Sequence, residues 1–235
     1  MEGFVEKMWK PFLAGVASGL PVVIGYFPVG LTFGVLASEH LTLAHTASMS
    51  AFVYAGASQF MALELIGVQA RAAEIVVATF LMNFRHFIMN ASLSQRVKGH
   101  HPRIIPLVAF WVTDETFSVA MSERRSLEHG YMLGLGLVSY LSWFSGSCVG
   151  FVTGALIPPL LQESMYIGLY ALFAALLIPH VKRSLPVFVI AAFAAGINFL
   201  VQYAGLLNPG WSLVAAIILA SALGAFIIPE EEENQ

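Results

Sequence analysis

The chain is 235 residues long, 58% hydrophobic and 11% charged, with a formal net charge of −3 at pH 7. Soluble domains carry about 25% charged residues, so this composition, with a mean hydropathy of +0.78, excludes a soluble globular domain and indicates a polytopic membrane protein. The single cysteine, Cys148, excludes an intrachain disulfide and argues against a metal cluster; no cofactor and no nucleic-acid partner is expected.

Eight apolar stretches follow one another at 11–37, 46–67, 73–94, 104–122, 131–157, 164–181, 185–205 and 211–228. A helix rises about 1.5 Å per residue, so roughly 20 apolar residues cross a bilayer core. The expected fold is an all-α bundle in one integral membrane domain over 1–235, with some segments broken or re-entrant. Residues 1–10 form a cytoplasmic lead and 229–235 a cytoplasmic tail, whose Glu230–Glu233 read as a solvated acidic end. Met1–Lys10 is amphipathic, and the apolar run after it is too long for a signal peptide's core, so it is expected to stay as the first helix.

The first stretch carries Pro21 and Pro28 among Gly19, Gly25, Gly30 and Gly34. Proline removes a helix hydrogen bond, so an unwound stretch is expected, with backbone N–H and C=O groups free to bind a carboxylate or an ion. A kinked helix with glycines for close packing is the alternative. Segment 46–67 is rich in Ala, Ser and Gly and brings Ser58 and Gln59, which either bind substrate or link helices.

Segment 73–94 is polar on two sides. Thr79, Asn83, His86, Asn90 and Ser94 share one, and Glu74, Ala78, Arg85 and Ser92 lie nearly opposite. Such a helix is expected at the centre of the bundle. Arg85 falls mid-segment, where a guanidinium costs about 2.5–3.5 kcal/mol on insertion scales. It therefore marks a functional interior, or else a structural ion pair.

Segment 104–122 supplies the counter-charges Asp114 and Glu115 within Thr113-Asp114-Glu115-Thr116, a run that could break it into two half-helices. Two adjacent carboxylates cannot both face one arginine, and the one left over is suited to carrying a proton. Capping of a helix N-terminus by Thr113 or Asp114 is the plainer use of this run. His86 is a further proton-handling candidate. Segment 131–157 shows Ser142, Gly146, Gly150 and Gly154 four residues apart, a small-residue face for another helix inside the bundle or on another subunit. It and the Gly-rich 15–34 are a faint candidate for an internal repeat. Asn198 and Gln202 lie one turn apart on 185–205.

Lys7 and Lys10 put the amino terminus in the cytoplasm. With eight crossings, the 95–103 loop and its Arg96, Lys98 and Arg103 violate the positive-inside rule. If 46–67 and 104–122 dip and return, nine cations lie inside and only Arg71 outside. Both topologies keep both termini inside. Phosphate-binding-loop, zinc-protease and serine-hydrolase motifs are absent, and His100-His101 have no partner cysteines, so an intramembrane enzyme ranks last.

The ordered set Gly19-Leu20-Pro21, Gly25-Tyr26-Phe27-Pro28, Phe33-Gly34, Gly56-Ala57-Ser58-Gln59-Phe60, Asn83-Phe84-Arg85-His86-Phe87 and Thr113-Asp114-Glu115-Thr116-Phe117 resembles the AzlC family. A weaker run, Tyr170-Ala171-Leu172-Phe173 with Ile178-Pro179, extends the resemblance. Where other members often carry Asp-Phe, Tyr166-Ile167 stand here. The resemblance implies a large subunit of a two-component exporter for branched-chain amino acids in the bacterial cytoplasmic membrane, coupled to the proton gradient and working with a small AzlD-like membrane subunit. On this reading Pro21, Gly25, Pro28, Ser58, Gln59, Asn83 and Arg85 are the substrate-binding candidates. Asp114, Glu115 and His86 are the proton-coupling candidates, and Gly146, Gly150 and Gly154 a partner surface. Phe27, Phe52 and Phe60 are candidates for the aliphatic side chain. The alternative is a channel or passive facilitator for small polar solutes.

Overall fold

The computed structural model describes residues 2–98, 103–123, 127–154 and 181–227, with 156–158, 160–161, 164–165, 167, 174 and 177–179 between; for residues 2–7 it describes the backbone alone. The elements are α1 (Glu2–Ala37), α2 (Leu43–Phe52), α3 (Gly56–Gly67), α4 (Ala72–Ser94), β1 (Val97–Lys98), α5 (Ile105–Phe110), α6 (Asp114–Ser122), β2 (Leu127–Glu128), α7 (His129–Gly154), α8 (Leu185–Tyr203) and α9 (Pro209–Ile227). The fold is helical, as expected. Five of the described helices, beginning at Met8, Ala72, His129, Leu185 and Pro209, are long and apolar enough to cross a membrane. Most of segment 164–181, with Tyr166 and Tyr170–Phe173, lies outside the described residues, as do His100-His101 and the acidic tail.

The chain forms two compact units, Met1–Phe60 with Asn83–Pro158 and Met61–Met82 with Pro159–Gln235. In the first, α1 and α7 lie side by side. Both are glycine-rich where they meet: a Cβ on Gly15 would strike the Tyr131 carbonyl, on Gly34 the Ser147 carbonyl, on Gly134 the Phe12 carbonyl and on Gly150 the Leu31 carbonyl. Early residues of α1 meet early residues of α7 and late ones meet late ones, so the helices run parallel. The two Gly-rich segments are thus packing partners.

Three sequence expectations are corrected here. The unwound stretch in α1 does not exist: the helix runs unbroken through Pro11, Pro21 and Pro28. Proline in a continuous helix frees the carbonyl four residues back, here Ala17 and Ile24, and offers no N–H groups to a carboxylate. The Gly146, Gly150 and Gly154 face does not await a partner subunit, because α1 fills it; a Cβ on Gly146 would lie 2.6 Å from the Phe27 carbonyl and one on Gly154 2.6 Å from Ser38 Oγ. Nor is α4 enclosed on all sides: Val76, Phe80, Phe84, Phe87 and Ile88 are 52–69% exposed along it. The aromatic and branched residues that alternate with its polar positions give it an outward apolar face.

Segments 46–67 and 104–122 are both broken. The first parts at Val53–Ala55, where Tyr54 takes φ 43. Gln59 donates to Ser50 Oγ across the break at 3.1 Å, which ties the start of α3 to the end of α2. The second parts before Asp114, where Thr113 caps α6 and forms a capping box with Thr116. Its two ends are held together: Val97 pairs with Leu127 and Lys98 with Glu128. Arg96 also donates to the carbonyls of Met121 at 2.7 Å and Glu123 at 2.5 Å, capping the end of α6. The segment therefore enters and leaves on one side, the geometry of a dip.

In the second unit α8 and α9 form an antiparallel pair, with Ser212 Oγ donating to Asn198 Oδ1 at 2.7 Å and Ile190 against Gly224. Gly205, at φ +62, turns the chain between them. Met61, Leu65, Ala78 and Val214 form an apolar cluster there.

Candidate functional site

The site grows from the break in segment 104–122. A helix N-terminus leaves N–H groups unsatisfied, and the Thr113 cap answers part of that need while holding Asp114 and Glu115 in the first turn of α6. Successive helical residues point about 100° apart, so the two carboxylates diverge. Asp114 Oδ2 meets Arg85 Nη1 of α4 at 2.8 Å. Glu115 instead accepts the phenol proton of Tyr26 from α1. The Tyr26 oxygen also lies 2.6 Å from Thr113 Oγ1; with its one proton given to the acceptor-only carboxylate, it accepts from the threonine.

The arginine is incompletely satisfied among the described residues. The Arg85 and Asp114 side chains are 39% and 48% exposed, so the pair borders open space. Arg85 Nε is buried with no hydrogen-bond partner among the described residues. A guanidinium has five donors in a rigid fork, and Asp114 engages one edge of it. The cluster holds one cation and two anions, a set that suits a ligand carrying both charges.

Aromatic residues wall the cluster. Tyr54, at the first break, lies 6.5 Å from the Tyr26 ring and 5.0 Å from Tyr140. Its hydroxyl is buried with no partner among the described residues. Trp143 of α7 packs edge-on to Tyr26 at 5.5 Å.

The other sequence candidates lie elsewhere. Ser58 donates to Asn83, which lies about 160° around α4 from Arg85. Gln59 is fully buried, donating to Ser50 and accepting from Trp143 Nε1 at 2.9 Å, and so links α2, α3 and α7. His86 Nδ1 lies 3.1 Å from its own helix's Asn83 carbonyl, while Asn90 ties the His86 carbonyl to Ala109. Pro21, Gly25 and Pro28 are exposed; the prolines lie about 140–160° around α1 from Tyr26. Sequence reasoning passed over Tyr26, Tyr54 and Trp143 as site residues. Tyr26 stood in the Gly25-Tyr26-Phe27-Pro28 run and was legible there. Tyr54 joins through a positive φ that no composition signal marks.

The family profile described as "AzlC protein" matches residues 21–157, from the middle of α1 through α7. An uncharacterized membrane protein of Archaeoglobus fulgidus is 35% identical over 73% of this chain and 76% of its own length. The inner membrane protein YgaZ of Escherichia coli is 27% identical over 79% and 80%. The branched-chain amino acid transport protein AzlC of Bacillus subtilis is 22% identical over 64% and 60%. No solved structure matches the chain. The matched span contains both helix breaks, Tyr26, Arg85 and the two acids, and the chain belongs to the AzlC family.

Proposed function

We propose that the protein is a secondary active exporter of branched-chain or related neutral amino acids. It works in a bacterial cytoplasmic membrane with both termini inside, draws on the proton gradient and is joined by a small AzlD-like membrane subunit. Family membership and the name of the Bacillus subtilis relative support the substrate class. The Arg85–Asp114 ion pair, bordering open space between a long apolar helix and a dipping segment, carries the reading. An amino acid is a zwitterion. Its carboxylate competes with Asp114 for Arg85, while Glu115, held by Tyr26, answers the ammonium. Asp114, displaced by the substrate, joins Glu115 at the ammonium; a proton taken up there from outside cancels that attraction and expels the substrate, and its loss inside restores the site, so proton and substrate exchange as export requires. Membership of a family that includes a transport protein supports transport rather than catalysis.

The exposure of the ion pair also suits a passive facilitator, and one experiment separates the two. Vesicles containing the protein and labelled leucine are given a pH step. An exporter drives leucine beyond equilibrium; a facilitator only equilibrates it, and that result would refute coupling.

A further inference from the structure

Tyr54 is anomalous in two independent ways. It stands in the break between α2 and α3 with φ 43, a left-handed backbone that a bulky L-residue rarely adopts. It is also 3% exposed, yet its hydroxyl has no hydrogen-bond partner among the described residues. Burial strips a hydroxyl of water, so a buried one normally finds another partner. Backbone strain and an orphaned polar group on one residue point to a ligand, rather than the fold, as the missing partner. The phenol is nonetheless held in place. Tyr140 of α7 packs edge-on to it at 5.0 Å, Phe110 of α5 lies at 6.0 Å and Tyr26 of α1 packs edge-on at 6.5 Å. Tyr140 is itself anchored, its hydroxyl donating to the Ala51 carbonyl at the end of α2 at 3.1 Å. Tyr26 is the residue that gives its proton to Glu115, whereas Arg85 pairs with Asp114. Tyr54 therefore joins the cluster from the Glu115 side.

We propose that the Tyr54 hydroxyl binds the α-ammonium of the substrate and so selects an amino acid over the carboxylic acid of the same chain. This role rests on the transport reading above. An ammonium brings three N–H donors. One oxygen of Glu115 is already engaged by Tyr26, and the phenol oxygen of Tyr54 adds an acceptor without adding charge. The hydroxyl gains its partner only when an amine arrives. A ligand with the same carboxylate and aliphatic chain but no amine leaves it unpaired. A site built to hydrogen-bond a polar group rejects the analogue lacking that group far more strongly than it rejects a change in apolar size.

Tyr54→Phe keeps the ring and deletes the hydroxyl. Leucine and isocaproate, which has the same carbon chain and carboxylate without the amine, are titrated calorimetrically into the purified full-length protein and the variant. Wild type should bind leucine more tightly than isocaproate. The variant should bind leucine about tenfold more weakly, the loss of a hydrogen bond to a charged group. It should bind isocaproate as well as wild type does or better, because no unpaired hydroxyl remains. Without ligand the variant should melt no lower than wild type, since the deleted hydroxyl bonds nothing in the fold. A lower melting temperature, or failure to fold, would overturn the proposal by revealing a structural partner. Equal weakening of both ligands, or no weakening of leucine, would overturn it as well. Wild type that binds no leucine would sink the transport reading and this role with it. Wild type that binds and transports leucine, beside a variant with the same preference over isocaproate, would sink the role of Tyr54 alone.

Discussion

Among the described residues Arg85 meets a single carboxylate and leaves Nε without an acceptor, so removing it unpairs Asp114 and deletes the proposed anchor for the substrate carboxylate. Arg85→Ala should abolish transport and cost about 1–3 kcal/mol, the range for stranding one polar partner. The roughly 3–5 kcal/mol of a fully buried pair is too large, because both side chains border open space. Thermal unfolding and leucine transport measure the two effects separately. Tyr26→Phe should cost about 1.5 kcal/mol, the low end for a hydrogen bond to a charged group, and should weaken leucine binding while sparing the pH response. Unchanged affinity in that variant would remove Tyr26 and Glu115 from the site. Arg85 was legible from sequence because a cation deep in an apolar run has few reasons to exist. Its choice of Asp114 over Glu115 was not, since the angle of a first helical turn follows from the Thr113 cap.

At the scale of elements, the α1–α7 contact depends on missing side chains. Gly150→Ala places a methyl group on the Leu31 carbonyl, backbone that cannot step aside. Overpacking of this kind costs about 1–3 kcal/mol, and melting of the purified variant should show it. Among the described residues nothing lies within 4 Å of the Gly25 Cβ position; Gly25→Ala should be neutral or stabilise by up to about 1 kcal/mol. Equal melting shifts for the two would contradict the packing described. The small-residue spacing on segment 131–157 announced a close helix contact, but spacing cannot say which helix fills it. The prolines of α1 misled for a related reason: neighbouring contacts decide whether a helix tolerates them, and here α7 supports α1 along its length. The break at Thr113 was readable because a capping residue within an apolar run stops a helix by local chemistry. Tyr54's positive φ depends on the Tyr26, Phe110 and Tyr140 rings around it, which distant parts of the chain supply.

For the whole molecule, the parallel course of α1 and α7 and the closed base of the 104–122 segment fix the sides of several loops. Lys10, Lys98 and Glu128 should all face one side of the membrane. With Cys148 replaced, single cysteines at these three positions should react with an impermeant thiol reagent from the same side, and any one reacting from the other side would contradict the dip. Composition and segment length already placed the chain in a membrane. Dips and crossings have the same hydropathy, so only the pairing of Val97 with Leu127 and the reach of Arg96 distinguish them. The most direct test of the account is leucine accumulation in vesicles after a pH step, compared among wild type, Arg85→Ala and Asp114→Asn. Wild type should concentrate leucine, Arg85→Ala should not move it, and Asp114→Asn should no longer respond to the step. Accumulation at the wild-type level in both variants would contradict the account.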